Sequence, residues 1–236
     1  MGDDAGGGVR WIGVADAKGL RQIACRRILD TAARAIERRG RFLIVLAGGS
    51  TPRDVYGMLR TGADWSRWQV YFGDERGLTA ADAGRNSVMA AEAWLDHVPI
   101  PPGQVHPIPA ERGVVLAARA YAETLRGVGA FDLVLLGLGD DGHTASLFPG
   151  RDPGLGENAP DALAVLDAPK PPPHRVSLSA RRLSRARAVL FLVAGEAKRS
   201  AIEQWHAGAD IPARAIQPRA GVDVLVEAML LRADHA

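Results

Sequence analysis

The chain has 236 residues, of which 47% are hydrophobic and 24% charged, a balance typical of a folded globular protein that argues against extensive disorder. Its 29 basic and 27 acidic residues give a net charge of +2, too small to indicate a nucleic-acid-binding surface. The single cysteine, Cys25, excludes an internal disulfide and fits a reducing compartment. Because the sequence contains no apolar run of membrane-spanning length, we expect a cytoplasmic protein with neither a membrane nor a nucleic-acid partner.

Short apolar runs alternate along the chain with segments of helical periodicity. Residues 1–8 (MGDDAGGG) are predicted to be a flexible tail, and residues 9–236 a single α/β domain without internal repeats or a clean linker. The first half of the chain predicts a strand at 9–14, a helix at 20–36, a strand at 42–46, a helix at 52–59, a strand at 69–72 and helices at 87–95 and 114–126. A strand at 131–136 follows, then a long loop at 149–173 that contains one strand at 162–166, and further strands at 175–178 and 188–193. The chain ends with a helix at 196–206 and a segment at 222–226 that precedes or opens a last helix ending at Arg232.

Buried strands separated by helices predict a doubly wound, mostly parallel sheet with helices on both faces, a Rossmann-like arrangement. In such sheets the ligand crevice lies beyond the carboxyl ends of the strands. Three predicted strands end in the polar clusters AGGSTP, GDER and GLGDDGH, and a fourth cluster, residues 195–198, follows the strand at 188–193. We therefore expect all four clusters to lie at one edge of the sheet.

The AGGSTP cluster has the composition of a phosphate-binding turn. Gly48 and Gly49 let backbone amides approach an anion at the start of a helix, and Ser50 and Thr51 add hydroxyl donors. The alternative is a tight strand-to-helix turn in which Ser50 or Thr51 caps the helix. The cluster is not a Walker loop, because no Gly-Lys-Ser/Thr follows.

The GLGDDGH cluster formally matches the dinucleotide fingerprint G-x-G-x-x-G. Asp140 and Asp141 would repel a pyrophosphate there, so the match is weak. We favour His143 as a general base or acid, with Asp141 or Asp140 orienting its ring. A metal site built from Asp74, Glu75, Asp140 and His143 is a weaker alternative without distinctive ligand spacing, and we expect no metal.

The remaining candidates are charged residues at the same edge. We expect Arg76 to bind an anionic or polar part of a substrate and Asp74 to bind a hydroxyl, although both could form a surface ion pair instead. Lys198 and Arg175 are candidate phosphate partners. Only three basic residues are lysines (Lys18, Lys170 and Lys198), and in so arginine-rich a chain a lysine indicates that an ammonium is needed. With no G-x-S-x-G elbow and Cys25 inside a helix, we expect no covalent nucleophilic catalysis.

The sequence resembles the 6-phosphogluconolactonases. The matching segments are LAGGSTPRDVYGML, VYFGDERGL with Asp82 and Asn86 following, FDLVLLGLGDDGHTASLFPG, and RVSLS followed by VLFLVAGEAKR, between about residues 42 and 199. The wider superfamily includes glucosamine-6-phosphate deaminases, which carry a further catalytic carboxylate after the histidine and an aromatic residue in place of Arg76. Here that stretch is Ser146-Leu147-Phe148, without an acid. The chain departs from the lactonases in having Gly77-Leu78 where Val-Pro is common.

The resemblance implies hydrolysis of 6-phospho-D-glucono-1,5-lactone to 6-phosphogluconate, the second step of the oxidative pentose phosphate pathway, by a monomer or homodimer without a cofactor. It implies that His143 activates water, that Arg76 or amides near residues 139–142 stabilise the oxyanion, and that Ser50, its flanking glycines, Arg175 and Lys198 hold the phosphate. Three alternatives stay open: a sugar-phosphate deaminase or isomerase with Asp74 as base, a non-catalytic sugar-phosphate sensor, and, least favoured, a nicotinamide dehydrogenase.

Overall fold

A computed structural model describes residues 8–231 of the chain. The predicted tail, apart from Gly8, and the predicted helix end at Arg232 lie outside the described residues. Within that range no helix has the combined length and apolar character needed to cross a membrane.

Strands and helices follow one another along the chain from Val9 onward, but no α-helix separates the strands at 68–72 and 74–76, or those at 133–137, 162–165 and 175–178. The strands are β1 (Val9–Val14), β2 (Phe42–Leu46), β3 (Trp68–Phe72), β4 (Asp74–Arg76), β5 (Val105–His106), β6 (Leu133–Gly137), β7 (Ala162–Val165), β8 (Arg175–Leu178), β9 (Val189–Val193) and β10 (Val222–Glu227). The helices are α1 (Ala17–Arg39), α2 (Ser50–Gly57), α3 (Asn86–Ala93), α4 (Val114–Thr124), α5 (Ala180–Ser184) and α6 (Arg199–His206).

The central sheet is parallel and doubly wound, which confirms the predicted fold class. Within residues 8–231 it has seven strands in the order β1-β10-β9-β6-β2-β3-β5, and every pairing is parallel. Every residue of β2 and β9 is buried, so both faces of the sheet are covered at its centre. The chain leaves β2 toward β3 on one side and β6 toward β9 on the other, so the topological switch point lies between β2 and β6.

A second, smaller sheet was not predicted from the sequence. Strands β4, β8 and β7 pair antiparallel in that order, with Arg76 of β4 directly opposite Arg175 of β8. Gly73 separates β3 from β4: its amide donates to the Leu46 carbonyl (2.9 Å) and its own carbonyl accepts from Leu178 (2.7 Å). The predicted strand at 175–178 therefore exists, but it belongs to this second sheet and lies beside the central one.

The prediction that residues 222–226 open a last helix is wrong for the described part of the chain. These residues form β10, which pairs on both sides with β1 and β9, and only the short 3₁₀ turn Ala228–Leu231 follows. The segment VDVLV is rich in valine, and β-branched residues fit a strand with two neighbours better than a helix.

Candidate active site

A polar crevice of about 200 Å³ opens at the switch point between β2 and β6. That volume is small for a ligand site and suits a compact polar molecule. The four clusters expected at one sheet edge all contribute to it. The predicted site residues in its wall are Gly48, Gly49, Asp74, Arg76, His143, Arg175 and Lys198.

His143 is oriented by Asp141, and the choice between Asp140 and Asp141 is thereby resolved. The imidazole Nδ1 lies 2.5 Å from Asp141 Oδ1, which also accepts from the His143 amide at 3.1 Å. Burial raises the pKa of Asp141, but the hydrogen bonds from His143 and the charges of His143 and Lys170 outweigh it, so the net pKa is lowered. An ionised Asp141 accepts a hydrogen bond from the protonated Nδ1, which leaves the Nε2 lone pair of His143 for a substrate or water.

Two neighbours restrict the His143 ring further. A Cβ on Gly139 would lie 1.9 Å from Nδ1, so only glycine leaves room for the imidazole in this position. The ring of Phe148, which is 2% exposed, packs against the imidazole with centroids 4.9 Å apart. The glycine that the dinucleotide fingerprint would assign to a pyrophosphate therefore makes space for a histidine.

Gly48 and Gly49 form the turn between β2 and α2. Gly49 has φ 106°, a conformation that favours glycine, and it precedes the first residue of α2 without a side-chain cap. The buried hydroxyl of Tyr56 donates to the Ala47 carbonyl at 2.8 Å and accepts from the Ala47 amide at 2.9 Å. This contact fixes the strand end on the helix, and the first-turn amides of α2 keep their capacity to bind an anion.

Ser50 and Thr51 lie in the first turn of α2 but outside the crevice wall. Within residues 8–231 their hydroxyls form no hydrogen bond, so the alternative of a capping hydroxyl is not what the structure shows. Their backbone amides belong to the first turn of α2, which begins next to the crevice-lining residues Gly48 and Gly49.

Three cations converge on the crevice from different elements. Arg76 and Arg175 face each other across β4 and β8, and Lys198 precedes α6. Arg175 is only 6% exposed, and this burial lowers the pKa of its guanidinium. The negative charge of Asp74 raises that pKa, and the positive charge of Arg76 lowers it further. Directly opposed like charges repel, and an anion between them would relieve this repulsion.

Lys198 is half-buried, and burial lowers the pKa of its ammonium. The charge of Asp140 acts against this shift, that of Lys170 adds to it, and that of Asp141 opposes it again. No carboxylate pairs with Lys198 within the described part of the chain. Its ammonium is therefore free to bind a ligand.

Asp74 is buried and holds two neighbours in place. Its Oδ1 accepts from Asn86 Nδ2 at 3.0 Å and its Oδ2 from Ser146 Oγ at 2.7 Å. Asn86 also lies against the turn between β2 and α2: a Cβ on Gly48 would lie 2.1 Å from Asn86 Oδ1. Asp74 thus connects the β2 turn, the start of α3 and the segment after His143.

Glu75 does not face the crevice. Its fully buried carboxylate accepts from the amides of Arg76, Asn86 and Ser87 at 2.7–2.9 Å and so caps the start of α3. The metal set considered from the sequence, which included Glu75 and Asp74, is therefore not assembled. The carboxylates of Asp140 and Asp141 do lie near the His143 ring, but Asp140 pairs with Lys170 and Asp141 with His143.

Sequence reasoning missed the contacts of four residues that shape the site. Ser146 and Phe148 were noted only as positions without an acid, Asn86 only as a residue that matches the lactonases, and Lys170 only as one of three lysines in the chain. Ser146 and Lys170 contact residues 72 and 30 positions away, and local pattern does not reveal such contacts.

The fold and the crevice together are those of a doubly wound α/β enzyme for small anionic substrates. The family model described as glucosamine-6-phosphate isomerases/6-phosphogluconolactonase matches residues 15–225. The chain is 38% identical to the 6-phosphogluconolactonase of Mycobacterium leprae, over 82% of this chain and 84% of that protein, and 39% identical to that of Synechocystis, over 84% and 86%. The chain therefore belongs to the glucosamine-6-phosphate isomerase/6-phosphogluconolactonase family.

Solved structures agree with this assignment. The 6-phosphogluconolactonase of Thermotoga maritima superposes with a TM-score of 0.85 at 26% identity, covering 93% of this chain and 99% of that one. The Trypanosoma brucei 6-phosphogluconolactonase gives a TM-score of 0.83 at 26% identity, covering 94% and 97%. A monomeric glucosamine-6-phosphate deaminase also shares the fold, with a TM-score of 0.80 at 21% identity.

Proposed function

We propose that this protein hydrolyses 6-phospho-D-glucono-1,5-lactone to 6-phosphogluconate, the second step of the oxidative pentose phosphate pathway, with His143 as the general base. The observation that carries the proposal is the His143–Asp141 pair in a crevice that also holds three cations. The similar chains of Mycobacterium leprae and Synechocystis bear the name 6-phosphogluconolactonase. No nicotinamide or other cofactor enters this reaction.

In the first step the Nε2 of His143 takes a proton from a water molecule, and the oxygen of that water attacks the lactone carbonyl carbon, C1. The C1 carbonyl becomes an oxyanion in a tetrahedral intermediate. When the intermediate collapses, the bond from C1 to the ring oxygen breaks, and the imidazolium returns its proton to that oxygen. The products are a hydroxyl at C5 and a carboxylic acid that ionises, so protons and electrons balance.

Arg76 is the group we assign to the oxyanion. Its Nη1 donates to the Gly84 carbonyl at 2.5 Å, which fixes the guanidinium, and its buried Nε has no partner within residues 8–231. The alternative, backbone amides near residues 139–142, has weaker support. The amides of Gly139, Asp141 and Gly142 already donate to acceptors inside the loop.

The phosphate is assigned to Arg175, Lys198 and the first turn of α2, with Gly48 and Gly49 allowing close approach. This remote group positions the lactone so that C1 meets His143, and its binding free energy offsets the entropy of alignment. Asp74, whose carboxylate lines the crevice, is assigned to a sugar hydroxyl, while Ser50 and Thr51 contribute through their amides.

Phe148 favours the lactonase over a deaminase. The phenyl ring of Phe148 packs on the imidazole of His143. The deaminases carry a further catalytic carboxylate in this stretch, and this chain has no acid there to open the ring of an amino sugar. A water-attack reaction needs only the Asp141 contact to hold His143 in one tautomer.

The test compares three substrates with the purified protein. Freshly generated 6-phosphogluconolactone should open far faster than its spontaneous rate, whereas gluconolactone without the phosphate should react with a much lower kcat/KM. Glucosamine 6-phosphate should release no ammonia. Ammonia release without lactone hydrolysis would instead identify a deaminase, and failure with all three would contradict an enzyme of either kind.

A further inference from the structure

The turn formed by residues 168–173 controls the orientation of Arg175. The turn is closed by a hydrogen bond from the Ala168 amide to the Pro173 carbonyl at 2.8 Å. The Arg175 guanidinium donates into it, from Nη2 to the carbonyls of Lys170 (2.9 Å) and Pro171 (3.0 Å), and from Nε to that of Pro172 (3.0 Å). The position of this turn therefore determines which way the remaining N–H groups of Arg175 point.

The Lys170 side chain connects the turn to the loop that carries the catalytic pair. Its ammonium donates to Asp140 Oδ1, and Asp140 lies three residues before His143. The Lys170 side chain forms no other hydrogen bond or ion pair within residues 8–231. The ion pair thus links the loop after β6 to the turn before β8.

The pair lies beside the phosphate-binding lysine. Both of its charges act on Lys198, since Asp140 raises the pKa of that ammonium and Lys170 lowers it. Lys170 also lowers the pKa of Asp140, as the largest contribution there. The side chains of Lys170 and Asp140 are 39% and 55% exposed, so their ion pair contributes little to the free energy of folding. The pair matters here because it fixes the position of the turn relative to the loop after β6.

We propose that Lys170 is a positioning residue for substrate binding: its ion pair with Asp140 holds the 168–173 turn against the loop after β6 and so sets the Arg175 guanidinium for the substrate phosphate. The proposal rests on the proposed function in one respect, the assignment of the phosphate to Arg175. A direct contact from Lys170 to the phosphate is the competing explanation, and the two differ in what removal of Asp140 does.

The experiment is a double-mutant cycle with Lys170→Met, Asp140→Asn and the double variant. Asp140→Asn keeps the Oδ1 that accepts from the Asp141 amide at 3.1 Å, so it removes charge and leaves that contact. Binding of 6-phosphogluconate and of inorganic phosphate is measured by calorimetry, and KM and kcat with the lactone are measured beside it.

Each single variant should raise the Kd for 6-phosphogluconate and the KM about 3- to 5-fold, while kcat changes less than 2-fold. The double variant should bind no more weakly than either single one, because both remove the same link. Lys170→Arg should restore wild-type binding. Unchanged binding in Lys170→Met would overturn the proposal, and so would a loss in Lys170→Met together with wild-type or tighter binding in Asp140→Asn, the result for a direct ligand.

The Arg151–Asp167 ion pair supplies the matched control. It holds Asp167, the residue just before the 168–173 turn, and Asp167 is 73% exposed; neither Arg151 nor Asp167 lines the crevice. Arg151→Met and Asp167→Asn should leave KM and Kd within 2-fold of the wild type, and thermal unfolding of every variant checks folding. An equal loss in the control would show general loosening of the segment and overturn a specific role for Lys170.

The two claims fail separately. Wild-type protein that binds 6-phosphogluconate but does not open the lactone would contradict the proposed function, while the binding cycle would still decide the role of Lys170. Wild-type protein that binds neither 6-phosphogluconate nor inorganic phosphate would overturn both.

Discussion

At the scale of single residues, the imidazole of His143 has little freedom to turn. Asp141 holds Nδ1, Phe148 covers one side of the ring, and Gly139 lies so close that no side chain fits between them. Such restriction suits a general base, because proton transfer needs a fixed distance and tautomer.

Gly139→Ala should lower kcat about 10- to 100-fold with little effect on folding. The new methyl group would push the His143 imidazole out of its position, and a change of side-chain rotamer would not restore it. A Cβ there would lie 1.9 Å from His143 Nδ1. Gly57→Ala, at the far end of α2, meets no atom within 4 Å and serves as the control. Steady-state kinetics on both variants makes the comparison, and wild-type kcat in Gly139→Ala would contradict the described ring position.

Lys198 should make the affinity for the substrate phosphate fall as the pH rises. In the proposed function the ammonium form of Lys198 binds the phosphate. Because burial lowers the pKa of this ammonium, the affinity should begin to fall at a lower pH than it would for an ordinary lysine, whose pKa is near 10.4. Lys198→Arg stays charged over this range, and its alkaline loss should be absent.

The measurement is the Kd for 6-phosphogluconate, which is stable where the lactone is not, between pH 7 and 10.5 for both proteins. The wild type should weaken as pH rises and the arginine variant should hold constant. Parallel curves for the two proteins would show that another group governs phosphate binding.

At the scale of elements, α5 is held to the central sheet by a buried arginine. Arg182 is fully buried, its guanidinium lies 3.7 Å from the centroid of the Phe131 ring, and it forms an ion pair with Asp161 at 3.4 Å. It also donates to the carbonyls of Val128 and Gly129, at 3.4 and 3.2 Å. Burial lowers its pKa to about 10, so it stays charged at neutral pH.

Arg182→Met should lower the free energy of unfolding by about 2–4 kcal/mol, because buried carbonyls and a carboxylate lose their donor. Its kcat should stay within 2-fold of the wild type, since Arg182 contacts the amino end of β6 and the crevice lies at the other end. Arg181→Ala, a substitution at the exposed neighbouring residue, should change the free energy of unfolding by less than about 0.5 kcal/mol. Urea unfolding measures both, and equal stabilities would contradict the structural role.

At the scale of the whole molecule, the strand order explains why so much of the site could be predicted from sequence. Parallel strands place all their carboxyl ends at one edge, so AGGSTP, GDER, GLGDDGH and the residues before Lys198 had to converge once the strands were identified. The convergence needed no contact information. The predicted positions of His143, Asp141 and the Gly48–Gly49 turn followed from it.

The parts that could not be predicted depend on long-range pairing. The small sheet arises because Arg76 and Arg175, 99 positions apart, pair across β4 and β8, and nothing local in either segment distinguishes it from a strand of the main sheet. For the same reason the sequence left open whether residues 222–226 precede or open a helix: their central position between β1 and β9 is a property of the assembled sheet. Ser146 and Lys170 contact residues 72 and 30 positions away, and local pattern carries no information about such contacts.

The most direct test of the central claim is the rate of 6-phosphogluconolactone opening by the wild type and by His143→Gln, each measured above the spontaneous background. The lactone is generated in situ from glucose 6-phosphate by its dehydrogenase. The wild type should accelerate opening strongly, and His143→Gln should lower kcat about 10²- to 10⁴-fold while the Kd for 6-phosphogluconate stays within 2-fold. Wild-type kcat in the variant would contradict the assignment of His143 as the base, and no acceleration by the wild type would contradict the proposed reaction itself.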